Sequence, residues 1–303
     1  MRLEVTGVPE FGTKFVRGML VDTKPTTFDE LIRISGLSHG TDVWLGNAQS
    51  LIEAGTVTLN EAICCRDDIM IYLIKKGVPP NHAFKIMETV RKGKALKDPA
   101  KWAEYVELMK EHDVPDWYIK SCEKIKYMFP KAHAAAYVTN AFRIAWFKVH
   151  EPKAYYTAYF TIRADEFDSD IMCHGEERVK NKMKEIDLAG NGASTKDKNM
   201  YAILELVLEM YERGINFLPI DLYKSHATKF QIEEEGIRPP LNSIPGLGTV
   251  AALGIEEAKK DGKFMSIDDL KIRSKIGKSV IEMLPNAGCL KGMSQSNQMS
   301  LFG

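Results

Sequence analysis

The chain has 303 residues, with 41 Lys and Arg against 41 Asp and Glu, 45% hydrophobic and 27% charged residues, a composition that excludes a disordered or fibrous protein. The balanced charge excludes a uniformly basic nucleic-acid coat but not local basic patches. One core rarely serves so long a chain, so two or more modules are expected.

No run of about 18 apolar residues is available to span a bilayer, and the N-terminus has no signal-like apolar segment. A cytoplasmic protein with no membrane partner is therefore expected. The five cysteines are scattered without a Cys-x-x-Cys pair, and none of the seven histidines forms a His-x-x-x-His pair. Neither a disulfide framework nor a metal site is expected.

In chain order, Thr27 with Glu30 three residues on is a capping box, so a helix starts at residue 28 and is expected to stop near Gly36. Ile69, Leu73 and Ile74 recur at helical spacing up to Gly77-Val78-Pro79-Pro80, and residues 83–91 form the next helix. Residues 132–149 are Ala-rich and almost continuously apolar, which predicts a helix buried on several sides, with Phe142, Trp146 and Phe147 in the core. Gly, Asn and Ser cluster over residues 189–195 as the clearest internal linker, ahead of a helix over 199–212. Alternating stretches within 215–232 suggest a small β element, closed by Arg238-Pro239-Pro240.

The first chemical constellation is basic and aromatic. Between Ile119 and Lys153 stand seven Lys or Arg against Glu123 and Glu151, interleaved with Tyr127, Phe129 and Tyr137. Cations beside aromatic faces suit a phosphate-bearing ligand whose base stacks. His133 and Tyr137 are one helical turn apart and share a face, with Asn140 following. Arg66-Asp67-Asp68 and Arg91-Lys92-Gly93-Lys94 offer further phosphate contacts. Asp67 and Asp68 do not make a two-metal site, because adjacent helical positions point in different directions.

Ser243-Ile244-Pro245-Gly246-Leu247-Gly248-Thr249 is a helix-hairpin-helix pattern, followed by a helix through about residue 260. The glycines permit the tight turn and let N–H groups at the second helix's start approach an anion such as a DNA phosphate. Pro245, Gly246, Leu247, Gly248 and Thr249 are thus the candidate DNA contacts, made to backbone phosphates rather than to bases. The segment after it looks like a degenerate second hairpin packed on the first. The chain closes on Gln298-Met299-Ser300-Leu301-Phe302, whose Gln298, Leu301 and Phe302 are suited to anchor in a partner's apolar pocket and resemble a bacterial sliding-clamp-binding pentapeptide.

Several segments together resemble one family: Gly7-Val-Pro-Glu-Phe-Gly-Thr-Lys-Phe-Val16, Ile34 through Gln49, Cys65-Arg-Asp-Asp-Ile-Met70, Lys126 through Val138, Ile244 through Thr249, and the closing pentapeptide. In that order they are similar to the C-terminal part of the PolC-type, Gram-positive DNA polymerase III alpha subunit, a C-family polymerase. The resemblance covers essentially the whole chain. It implies a mainly α fold: a helical fingers subdomain, a small α+β region, and a helix-hairpin-helix module. The expected regions are fingers over 1–187, a linker helix and small α/β connection over 188–240, a duplex-binding module over 241–290, and a clamp-binding tail over 291–303.

The resemblance also implies roles. Arg66, Lys131, His133 and His39 would lie near the phosphates of an incoming dNTP, and Tyr127, Phe129 and Tyr137 would shape its base pocket. Primer-template duplex, dNTP, the sliding clamp and other replisome subunits would be the partners. The Mg2+ ions of such an enzyme sit on palm carboxylates, which this sequence does not contain, so no catalytic residue is expected here and the chain is expected to be inactive alone. The alternative is a non-catalytic helix-hairpin-helix module that binds DNA and recruits a partner by its tail.

Overall fold

The side chain of Thr27 accepts a hydrogen bond from the Glu30 amide at 3.3 Å while Glu30 reaches back to the Thr27 amide at 3.0 Å, so the anticipated capping box opens a helix. The computed structural model describes residues 5–285 and 287–296. These fall into two units, one ending at Ala145 and the other beginning at Trp146.

The first unit contains α1 (Lys14–Thr23), α2 (Phe28–His39), α3 (Gln49–Glu53), α4 (Arg66–Lys75), α5 (Pro80–Arg91), α6 (Pro99–Glu111), α7 (Asp116–Lys124) and most of α8 (Lys131–His150). Pro80 and Pro99 each occupy the first helical position, where a missing N–H costs nothing. Ile34, Leu37, Ile69, Leu73, Ile86, Met109, Ile125 and Val138 meet in one core, each burial contributing roughly 1.5–3 kcal/mol.

Two expectations are corrected in this unit. Helix α2 does not stop at Gly36 but runs to His39. A Cβ on Gly36 would stand 2.6 Å from the Cys64 carbonyl oxygen, so this glycine serves close packing rather than termination. Helix α8 is also not buried on several sides. Its buried stripe is narrow, Ala134, Val138 and Ala141 in this unit. Phe142, Trp146 and Phe147 are 54%, 49% and 50% exposed rather than core residues.

The second unit continues with α9 (Pro152–Arg163), α10 (Ser169–Met172), α11 (Glu176–Ala189), α12 (Thr195–Glu212), β1 (Gln231–Glu233), β2 (Gly236–Arg238), α13 (Thr249–Ala258), α14 (Ile267–Ser274) and α15 (Lys278–Met283). The strands pair antiparallel with Ile232 opposite Ile237. Residues 216–218 add to the other side of β2, through Ile237 N to Asn216 O at 3.0 Å and Leu218 N to Ile237 O at 2.8 Å. The β element expected within 215–232 is therefore present through 216–218 and the start of β1, and it extends past residue 232 into β2.

Phe160, Phe167, Phe217 and Phe230 form a compact ring cluster with centroids 4.9–6.1 Å apart. Beside it Lys148, only 1% exposed, is neutralised by Glu209 at 2.8 Å, which also accepts from the Tyr156 hydroxyl at 2.7 Å. A buried charge is tolerable only with such partners. A second core runs from Ile220 and Leu222 through Leu241, Ile244, Leu247 and Ile255 to Leu284 and Leu290. The chain is mainly α, with one two-stranded sheet among the described residues. No helix among them is long and apolar enough to cross a membrane.

Candidate nucleotide and nucleic-acid interfaces

The first candidate site is built on four extended residues, 126–129, between α7 and α8. Lys126 N donates to Thr41 O at 3.0 Å and Thr41 N to Tyr127 O at 2.9 Å; Met128 N donates to Arg91 O at 3.3 Å and Arg66 N to Phe129 O at 3.1 Å. Two glycines let the neighbours come this close. A Cβ on Gly93, whose φ is +61°, would lie 2.5 Å from Lys126 O, and one on Gly40 would lie 2.9 Å from Tyr127 O. Because extended side chains alternate, Met128 enters the core at 2% exposure while Tyr127 and Phe129 share the opposite side.

On that side the rings form a continuous run. Tyr127 meets Phe129 edge-on at 5.1 Å, Phe129 stacks on His133 at 4.8 Å, and His133 lies against Tyr137 at 4.5 Å. His39, at the end of α2, joins edge-on to Phe129 at 5.8 Å. Its Nδ1 lies 2.8 Å from Ser35 O and 3.1 Å from Ser38 Oγ, and its Nε2 faces Glu10 Oε2 at 3.2 Å. Five of the seven residues singled out for nucleotide binding thus lie in one aromatic ladder whose extremes, His39 and Tyr137, are 98 positions apart in sequence.

Arg66 and Lys131 attach to this ladder through their backbones. Arg66 begins α4 and is bound to Phe129 as above, while Lys131 N donates to Asp67 Oδ2 at 2.6 Å. Asp68 turns the other way, its Oδ2 accepting from Cys64 N and Cys65 N at 3.1 and 3.0 Å. Asp67 and Asp68 therefore point apart, as helical spacing requires, and both are committed to backbone amides. Among the described residues no group of three or more His, Cys, Asp or Glu converges so as to hold a metal ion.

The charges around the ladder are held in pairs. Lys131 Nζ reaches Asp29 Oδ1 at 3.0 Å, and Arg33 Nε reaches Asp29 Oδ2 at 3.0 Å. The Lys131 hydrogen bond is the main reason the Asp29 carboxyl titrates below its ordinary range. Arg91 and Lys92 both bind Glu88, whose pKa falls to about 2, chiefly through the Arg91 hydrogen bond. Sequence reasoning missed Asp29 entirely: it lies 102 positions from Lys131, and its only local signal is membership of the α2 first turn, where acidic residues are common.

The second candidate site is the hairpin turn. Gly246 has φ +83°, and a Cβ there would lie 2.8 Å from Met283 Cε. Ile244 and Leu247 are buried, anchoring the turn from below. Gly248 (φ −70°, ψ 158°) is the N-cap of α13 and supplies no side-chain acceptor, and a Cβ there would meet open space. The first amides of α13 thus point outward beside an open approach, with Thr249 and Val250 exposed. The same path recurs downstream: Lys275 has φ +55°, Ile276 is buried, and Gly277 (φ −74°, ψ 165°) caps α15. This is the degenerate second hairpin, with lysine in the left-handed position that Gly246 fills in the first. A Cβ on Gly254 would lie 2.6 Å from Ser274 O, which places α13 directly against α14. Gln298, Leu301 and Phe302 lie outside the described residues.

Residues 1–113 match the family model of the bacterial DNA polymerase III alpha subunit finger domain, and residues 214–300 match the helix-hairpin-helix motif. The DNA polymerase III PolC-type of Clostridium perfringens is 60% identical over 297 residues, covering 98% of this chain and 20% of that protein. That of Oceanobacillus iheyensis is 60% identical and that of Bacillus subtilis 58% identical, each over 296 residues, with 98% of this chain and 20% of the relative covered. The chain belongs to the PolC-type DNA polymerase III family, as one segment of it. It spans about a fifth of the length of these PolC-type relatives. The finger-domain match ends at residue 113, before the ladder segment 126–129 and α8, whereas the hairpin match includes both turns and the core that begins at Ile220.

Proposed function

We propose that this chain is the nucleotide-binding and duplex-gripping portion of a replicative, cytoplasmic DNA-directed DNA polymerase. The observation that carries the reading is the ladder His39–Phe129–His133–Tyr137, flanked by Arg66 and Lys131, in a chain 60% identical to PolC-type polymerases. The fingers function extends over residues 1–187, the connection over 188–240, the duplex grip over 241–290 and the clamp tether over 291–303.

In this reading Arg66, His39, His133 and Lys131 neutralise the dNTP phosphates, and the rings of Tyr127, Phe129 and Tyr137 bound its base and exclude water. Fixed cations aimed at the triphosphate stabilise the charge that builds on departing pyrophosphate. The segment 126–129 is fastened on three elements, so these groups meet the nucleotide without reorganisation. Lys131 exchanges its Asp29 partner for phosphate as the nucleotide enters. Pro245 to Thr249 present α13 amides to phosphates of the nascent duplex, holding it irrespective of sequence. Leu301 and Phe302, with Gln298, tether the polymerase to the sliding clamp alongside the other replisome subunits.

Mg2+ belongs to the whole enzyme. The carboxylates here do not fit it, because Asp67 and Asp68 cap amides and point apart, so no step is assigned to a metal on this chain.

Primer extension tests the reading. The chain alone should extend nothing, and adding a separately supplied palm-containing segment of the same polymerase should restore synthesis that His133→Ala reduces at least tenfold. Restoration indifferent to His133 and Arg66 would refute the nucleotide assignment. Binding of the chain to duplex DNA should be insensitive to sequence and fall steeply with salt; sequence-selective, salt-resistant binding would instead favour a specific DNA-binding module. Leu301→Ala with Phe302→Ala should abolish clamp association and leave DNA affinity nearly unchanged.

A further inference from the structure

We propose that a second small-molecule site lies behind the nucleotide face, a cavity of 640 Å³ in the first unit bounded by the 56–63 loop, α4 and the start of α7, and that its ligand is a planar aromatic anion of mononucleotide size. The volume lies within the usual range for small-ligand sites, roughly 300–1,000 Å³. The proposal rests on the nucleotide reading only in that the two sites share Lys131.

The wall supplies a flat apolar surface. Tyr72 stacks on buried Tyr118 at 4.1 Å and 14°, and Trp117 meets Tyr118 edge-on at 5.4 Å. These contacts fix three rings side by side, so the cavity does not depend on a mobile aromatic. Ile71, 46% exposed, adds apolar surface that has no protein neighbour to cover it fully. Such a wall favours a planar, unsaturated ring system over a flexible polar ligand.

The rim sets the sign of the charge. Arg33, Lys75 and Lys131 line the cavity with Asp68 and Glu61. Both acids are already engaged: Asp68 accepts from the Cys64 and Cys65 amides, and Glu61 Oε2 accepts from Thr58 N and Thr58 Oγ1, each at 2.8 Å. Arg33 and Lys131 share the single carboxylate of Asp29. Lys75 is exposed and makes no ion pair among the described residues. With Asp29 counted, three cations stand with three carboxylates, and since Arg33 and Lys131 already share Asp29, Lys75 is the cation at this rim left to take an anion. A phosphate on the ligand would meet Lys75 first and then compete with Asp29 for Arg33 and Lys131. Occupancy would draw Lys131 away from the nucleotide face, so the cavity ligand and the dNTP would weaken one another.

The test titrates the intact chain with adenosine 5′-monophosphate, following tryptophan emission and calorimetric heat, with inorganic phosphate and adenosine as separate arms. Adenosine 5′-monophosphate should bind at least tenfold more tightly than either fragment. Lys75→Glu, a substitution at an exposed position that leaves the fold intact, should weaken it about tenfold, whereas His133→Ala should leave it unchanged. No binding at millimolar concentration, loss through His133→Ala instead of Lys75→Glu, or indifference to both would overturn the site. Inorganic phosphate binding as tightly as the nucleotide would overturn the aromatic part of the assignment. A parallel dATP titration separates the two readings: if dATP binding ignores His133 while adenosine 5′-monophosphate still depends on Lys75, the nucleotide face fails and the cavity stands.

Discussion

In the proposed function the ladder and the hairpin would handle phosphate-bearing ligands by opposite means. At the ladder the proposed contacts are side chains, His39, Phe129, His133 and Tyr137, which glycines at 40 and 93 allow to be held in place by close backbone approach. At the hairpin the proposed contacts are main-chain amides, and the side chains of Ile244 and Leu247 are buried beneath the turn. Substitution of functional side chains should therefore damage the first site selectively. The second should yield only to changes in backbone shape or access.

The largest expected effects come from breaking the support of each site. Gly93→Val puts a branched side chain at φ +61°, within 2.5 Å of Lys126 O; it should cost about 3 kcal/mol or more and abolish dNTP binding, as denaturant melts and titration will show. Gly254→Val, 2.6 Å from Ser274 O, should cost about 2–3 kcal/mol while removing duplex binding and sparing the nucleotide site. A Gly254→Val chain that loses both activities would dissolve the distinction between the sites.

Subtler changes sharpen the contrast. Gly246→Ala forces an alanine to φ +83° and should cost about 1–2 kcal/mol. Gly248→Ala, at φ −70° with open space around its Cβ, should leave thermal stability unchanged within about 0.5 kcal/mol. It should still weaken duplex binding several-fold, because the new methyl group stands where a phosphate approaches the amides. Equal binding by the Gly248→Ala chain would show that the amides are not the contact.

The smallest effect is electrostatic. Glu88 has an ordinary pKa of 4.5 and a folded value of about 2. Its pairing with Arg91 and Lys92 therefore contributes stability above pH 4.5 that is lost as pH falls toward 2. Solvent screening limits this to about 0.5 kcal/mol. Wild type and Glu88→Gln compared by denaturant melts should differ at pH 6 and converge near pH 2.

Local signals in the sequence carried a good part of this. The Thr27–Glu30 box, the Gly77–Pro80 break and the two glycines of the hairpin are read within four residues of where they act, and each marks an observed element or its end. The aromatic residues of the ladder were legible as a set, because Tyr127, Phe129, His133 and Tyr137 lie within eleven positions. What brings His39 to them was not, since it depends on Thr41 pairing with Tyr127 across 86 positions. Helix α8 was misjudged because apolar residues outnumber its contacts: small Ala134 and Ala141 occupy the packed stripe while Phe142 and Phe147 stand outside it. Gly36 misled in the converse way, as a glycine chosen for the Cys64 carbonyl looks the same in sequence as one that ends a helix.

The crossed bonds at the heads of α4 and α8 have a mechanical meaning. Arg66 N is fastened to Phe129 O, and Lys131 N to the carboxylate of Asp67. Each helix start is thus riveted to the strand or side chain that begins the other, like two fingers of one pair of tweezers sharing a pivot. Under the proposed nucleotide reading, a load placed on either cation, such as an arriving triphosphate, would be felt by both helices at once. The closing of such a grip would be a motion of the whole jaw rather than of single side chains.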